Sequence, residues 1–134
     1  MAAAILAHLA REKGLRFEIK SAGTSASHGD PISLLAGRIL TRRGIDPGSH
    51  VATPLTEELI AWADLVLTMT ADHKCAAVAI SPANSGRIFT IAEYVDADGE
   101  VSDPLPEMSE EAYERCADHL ESLISQVVAR TERD

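Results

Sequence analysis

Asp64-Leu65-Val66-Leu67-Thr68-Met69-Thr70 holds an almost unbroken apolar run from Leu65 to Met69, with none of the alternation of a half-exposed strand. A strand of this kind is covered on both faces, as in the middle of a mostly parallel sheet with helices on either side. Helical patterns flank it, Thr56 to Trp62 before and Ala71 to Ile80 after. The combination predicts an α/β layer fold, in which ligands bind beyond the carboxyl ends of the strands.

Toward the amino end, residues 2–13 have Ile5, Leu6 and Leu9 on one helical face and Gly14 as a stop. Arg16-Phe17-Glu18-Ile19-Lys20 alternates polar and apolar, the pattern of a half-exposed strand at a sheet edge. A small-residue loop runs from Ser21 to Asp30, and Asp30-Pro31 supplies an N-cap with proline at the first helical position. The helix that follows runs to Arg43, burying Ile32, Leu35, Ile39 and Leu40, with Gly44 closing it. Asp46 to His50 is a turn, and Thr56 caps a short helix whose first turn carries Glu57 and Glu58, the charge that suits the helix dipole.

Toward the carboxyl end, Thr70 caps a helix that stops at Ser81-Pro82, and Arg87 to Ile91 reads as a third strand. Asp96-Ala97-Asp98-Gly99 has no periodicity and leads to Val101-Ser102-Asp103-Pro104. Ser109 caps the last helix, where Tyr113, Cys116, Leu120, Leu123 and Val127 form an apolar stripe. Arg130 to Asp134 is expected to fray.

A chain of 134 residues is expected to form one domain, residues 1–134, with room for a true core. Its net charge of -9 argues against a nucleic-acid footprint or an anionic membrane surface as partner. No apolar run approaches a membrane span. The opening Met-Ala-Ala-Ala lacks the basic flank of a signal peptide, so it reads as helix. The 2 cysteines, Cys75 and Cys116, make no Cys-x-x-Cys and point to core positions in a reduced, cytoplasmic setting. The 5 histidines lack metal-ligand spacing and the glycines make no dinucleotide fingerprint, so neither a metal nor a cofactor is expected.

Strands alternate with helices along the chain, yet it opens on a helix. The architecture reads as though it starts one strand late.

Several collinear segments resemble the low-molecular-weight protein tyrosine phosphatase family. They are Met1-Ala2-Ala3-Ala4, Ser21-Ala22-Gly23-Thr24, Arg43-Gly44-Ile45, Ala63 to Met69 and Val101-Ser102-Asp103-Pro104. Thr53 to Leu59 and Arg87 to Val95 look most like its bacterial protein arginine phosphatase branch. The resemblance implies a doubly wound parallel sheet in the order 2-1-3-4, here lacking its first central strand, and no cofactor. It also implies a Cys-x5-Arg-Ser-Pro phosphate loop just ahead of Met1, so the chain reads as an N-terminally truncated form. Cys75 is followed six residues on by Ser81 and Cys116 by Ser122, so no Cys-x5-Arg exists in the sequence.

By the family pattern, Asp103 is the general acid that protonates the leaving group and then activates water. Ser21 and His50 match residues that brace the phosphate loop, while Ser25, Ser27 and His28 fall in the loop lining the substrate cleft. Leu105 stands where the family usually has an aromatic, which weakens the case for stacking on a phosphotyrosyl ring. The full-length form would act on a phosphorylated protein through a phosphocysteine. The chain as it stands, without nucleophile or phosphate cradle, is expected to be inactive. The alternative is a naturally shortened binding or regulatory module. Loss of a central strand would expose two edges, making self-association through the sheet one expected consequence.

Overall fold

Strands hand over to helices at threonines in this chain. The computed structural model describes residues 1–22, 34–46, 53–101 and 109–133. Within them the order is α1 (Ala2–Glu12), α2 (Leu34–Arg42), α3 (Glu57–Trp62), β1 (Val66–Thr68), α4 (Ala71–Ile80), a 3-10 turn (Pro82–Arg87), β2 (Ile88–Thr90), α5 (Ile91–Tyr94) and α6 (Glu110–Arg133).

Local chemistry sets the boundaries. Thr56 accepts the Leu59 N–H at 3.2 Å to start α3, and Thr70 accepts the His73 N–H at 3.2 Å to start α4. Thr90 accepts the Glu93 N–H at 3.1 Å while Glu93 accepts the Thr90 N–H at 2.9 Å, a reciprocal capping box. That box corrects the sequence expectation at Arg87 to Ile91. The strand ends at Thr90 and Ile91 opens a helix, because Thr-x-x-Glu offers the backbone a better termination than continued pairing. Ser109 caps α6 as expected, accepting the Ala112 N–H at 3.1 Å. At the end of α2, Gly44 has φ +74°, a left-handed turn that a side chain would strain.

β1 and β2 pair in parallel, Val66 against Ile88 and Thr68 against Thr90, joined by the α4 crossover. Alternate residues of β1 serve opposite layers. Leu67 and Met69 pack on the main core, which contains Ile5, Leu40, Ile91, Val101, Leu123 and Val128. Val66 packs on the second core of Ile60, Ala77 and Ile88. Helices thus cover both faces of an open α/β sheet. The apolar run is nevertheless only half-buried at Leu65, Val66, Leu67 and Met69, with Thr68 alone buried. Among the described residues β1 has a paired strand on one side only, and covered faces do not hide an edge.

Three further expectations change. Residues 16–20 belong to no sheet and leave Phe17 40 % exposed, because alternation marks a strand only when a neighbour supplies its hydrogen bonds. α6 continues to Arg133 instead of fraying at Arg130, whose guanidinium donates to the Tyr94 carbonyl at 2.8 Å and stacks 5.0 Å over the Tyr94 ring. Cys75 lies on the exposed side of α4, and Cys116 is half-buried at the margin of its stripe. The rest of that stripe is buried as expected at Tyr113, Leu120, Leu123 and Val127. On α1 Ile5 is fully buried while Leu6 and Leu9 are half-covered. On α2 Ile39 and Leu40 are buried, Leu35 is half-buried and Ile32 lies outside the described residues.

Candidate active site

The carboxyl ends of β1 and β2 form the edge where an open α/β sheet takes its ligand. At that edge the Thr68 hydroxyl lies 3.2 Å from the Thr70 carbonyl and 3.3 Å from the Phe89 carbonyl, so one hydroxyl proton is shared between β1's exit and its neighbour. Thr68 and Thr90 are opposite one another in the ladder and both are buried. Thr70 caps the helix that leaves β1, and Thr90, in its capping box with Glu93, caps the one that leaves β2. Glu93 also takes the Lys74 ammonium, and that bond, followed by the one from the Thr90 amide, holds its carboxyl below the usual value of 4.5.

The chain returns to this edge just before Ser102-Asp103-Pro104. The Val101 amide donates to the Met69 carbonyl at 3.1 Å, and its side chain is buried in the main core. One residue earlier, the Glu100 carboxylate accepts the Ala71 N–H at the amino end of α4. The sequence therefore has its last described residue before Asp103 bonded to the residue that follows β1.

Of the site residues expected from sequence, Ser21 is half-buried in the described chain. Asp103, His50, Ser25, Ser27, His28 and Leu105 lie outside the described residues. What sequence reasoning missed is the anchor itself. Glu100 and Ala71 are 29 positions apart, and no local pattern couples a carboxylate to a helix amide at that distance. Among the described residues no helix is long and apolar enough to cross a membrane.

An open parallel sheet, covered on both faces and followed at each strand end by a capped helix, defines a doubly wound α/β protein, a class in which ligands bind at the strands' carboxyl edge. The chain belongs to the low molecular weight phosphotyrosine protein phosphatase family, whose model matches residues 1–134. It is 36 % identical over 135 residues to a protein-arginine-phosphatase of Bacillus subtilis, covering 100 % of this chain and 89 % of that one. A low molecular weight protein tyrosine phosphatase from T. tengcongensis superposes with a TM-score of 0.91 at 38 % identity, covering 96 % of this chain and 88 % of the other. A YwlE arginine phosphatase, solved as a cysteine-to-serine mutant with its active-site serine phosphorylated, superposes with a TM-score of 0.94 at 35 % identity, covering 99 % and 87 %. Bacterial protein-arginine phosphatases are thus among the relatives of this chain in both sequence and fold.

Proposed function

We propose that this chain is the body of a protein phosphatase working through a phosphocysteine, with phosphoarginine as its substrate class. In that reading Asp103 is the general acid and base, Ser21 and His50 brace the phosphate loop, and Ser25, Ser27, His28 and Leu105 line the cleft. The observation that carries it is the whole-length match to a protein-arginine-phosphatase. Leu105 at the position of the family's aromatic favours phosphoarginine over phosphotyrosine, since a flat ring loses its stacking partner there. A thiolate nucleophile fits a reduced, cytoplasmic setting.

The nucleophile and the arginine that cradles the phosphoryl oxygens are not supplied by these 134 residues, which contain no Cys-x5-Arg. The chain by itself therefore does not hydrolyse phosphomonoesters or phosphoarginine. A protein that carries it behind a strand and a Cys-x5-Arg-Ser-Pro loop does. The same absence favours one second reading, a non-catalytic relative that binds a partner or a second copy through its sheet edge.

Reading the coding DNA directly upstream of the Met1 codon decides between them, followed by assay of any in-frame extended protein. The phosphatase reading expects an in-frame strand and phosphate loop, and turnover of phosphoarginine that falls roughly 10²–10⁴-fold on Asp103→Asn. A stop codon or unrelated sequence there overturns it in favour of the binding module. Turnover by the 134-residue chain, sensitive to Asp103→Asn, overturns the claim that this chain is inactive.

A further inference from the structure

We propose that a pocket at the amino ends of β1 and β2, the end of the sheet away from the candidate active site, binds a free α-amino acid with a basic side chain.

The pocket has a volume of about 430 Å³ and is lined by Asp64, Ala83, Asn84, Gly86 and Arg87. Parallel pairing of Val66 with Ile88 brings the two strand entries together, because Arg87 directly precedes β2 and Asp64 stands two residues ahead of β1. Gly86 adds no side chain, and a Cβ there would meet nothing within 4 Å, so the space beside Arg87 is open.

The Arg87 guanidinium is held in place. Its Nη1 donates to the Ala61 carbonyl at 3.1 Å and to the Ala63 carbonyl at 2.8 Å, at the end of α3 where carbonyls have no intrahelical donor. Both hydrogens of Nη1 are thereby committed. The fork of Nε and Nη2, an edge that takes a carboxylate in two parallel bonds, has no partner among the described residues. Asn84 donates its amide to the hydroxyl of the fully buried Ser81 at 2.8 Å, which leaves its side-chain oxygen as an acceptor. Asp64 is exposed, and among the described residues no ion pair engages it. Opposite charges therefore line one pocket without neutralising each other.

A simple anion would be repelled by Asp64, and a simple cation by Arg87. A ligand that suits both carries a carboxylate for the Arg87 fork and, on the adjacent carbon, an ammonium for Asp64 and Asn84. That is the head of a free α-amino acid. The head occupies a small part of 430 Å³, so a side chain fits beside it. The chain's net charge of -9 favours a cationic side chain over an anionic one.

NMR titration of the 134-residue chain with L-arginine tests this. The Asp64, Asn84, Gly86 and Arg87 amide resonances should move along one saturable curve, with a midpoint on the order of 1 mM. Nα-acetyl-arginine, which lacks the ammonium, and arginine methyl ester, which lacks the carboxylate, should each bind roughly tenfold more weakly. Asp64→Asn, a change at an exposed position, should weaken L-arginine by a similar factor. Shifts that grow linearly without saturating would overturn the proposal. So would either blocked arginine binding as well as the free one, or an Asp64→Asn chain that binds like wild type. L-glutamate binding as tightly as L-arginine would overturn the preference for a basic side chain.

Discussion

Arg43, one residue past α2, donates to both the carboxylate and the backbone carbonyl of Glu114 on α6, the latter at 3.3 Å. The same guanidinium lies 2.9 Å from Asp118 and 3.3 Å from Glu121, while Arg42 pairs with Glu110. Glu110, Glu114 and Asp118 recur every fourth residue, so α6 carries a stripe of like charge that repels itself. Two consecutive arginines close α2 against that stripe. The bond it donates to the Glu114 carboxylate is the main reason the Arg43 guanidinium is held protonated even more firmly than usual.

Arg43→Met should lower stability by about 1–3 kcal/mol, because several charge-assisted bonds are lost and three carboxylates are left facing one another. The side chain is 18 % exposed, so added salt should recover only part of the loss. Urea melts at low and high salt read both quantities. An unchanged midpoint would mean that the network contributes nothing net.

Glu93 gives the fold an acid-sensitive joint between β2 and α5. Its folded value lies below the ordinary 4.5, so over that window the unfolded chain binds more protons and stability rises with pH. The contribution is complete above the ordinary value and is lost as pH falls through the lowered one. Glu93→Gln keeps an acceptor for the Thr90 amide but cannot titrate or hold Lys74 as an ion pair. Wild type should exceed the variant in stability near neutrality, with the gap closing as the pH falls below the ordinary carboxylate value and through the lowered one. A gap that stays constant across urea melts over that range would remove Glu93 from the account of acid sensitivity.

Features that depend on a few neighbouring residues were legible in the sequence. Thr56, Thr70 and Ser109 cap helices where their side chains said they would, and the spacing of Tyr113, Leu120, Leu123 and Val127 identified the buried stripe of α6. Features that depend on a distant partner were not. Residues 16–20 have the pattern of a strand and none of the pairing, and the apolar run of β1 does not reveal that, among the described residues, it pairs with a strand on one side only. Thr90 and Glu93 have the spacing of a capping box, but the apolar residues around them read as a strand through Ile91. At the site, Asp103 was singled out by family resemblance alone, since Asp-Pro is otherwise an ordinary turn. Glu100, whose partner lies across the sheet edge, had no local signal at all.

Leu40 is fully buried in the main core, whereas Cys75 stands on the exposed side of α4. Leu40→Ala should therefore cost about 2–5 kcal/mol, the sum of lost transfer energy and an unfilled cavity. Cys75→Ala should fall within about 0.5 kcal/mol of wild type. Paired denaturant melts check the contrast. Similar losses at both positions would mean that α4 is packed against something on the face described as open.

Trp62 is the single tryptophan, 42 % exposed, and the Lys20 ammonium lies 4.3 Å from its ring centroid. An exposed cation–π contact contributes only about 0.5–1 kcal/mol, so Lys20→Ala should barely change stability. It joins α3 to residues 16–20, however, and the indole is an optical probe of that junction. Wild-type emission should be solvent-like and readily quenched by iodide, which the lysine attracts. Lys20→Glu should cut iodide quenching while leaving quenching by neutral acrylamide unchanged, because charge and not access has been altered. Equal changes with both quenchers would mean that the substitution has uncovered or buried the ring, and that residue 20 holds this segment in place by packing.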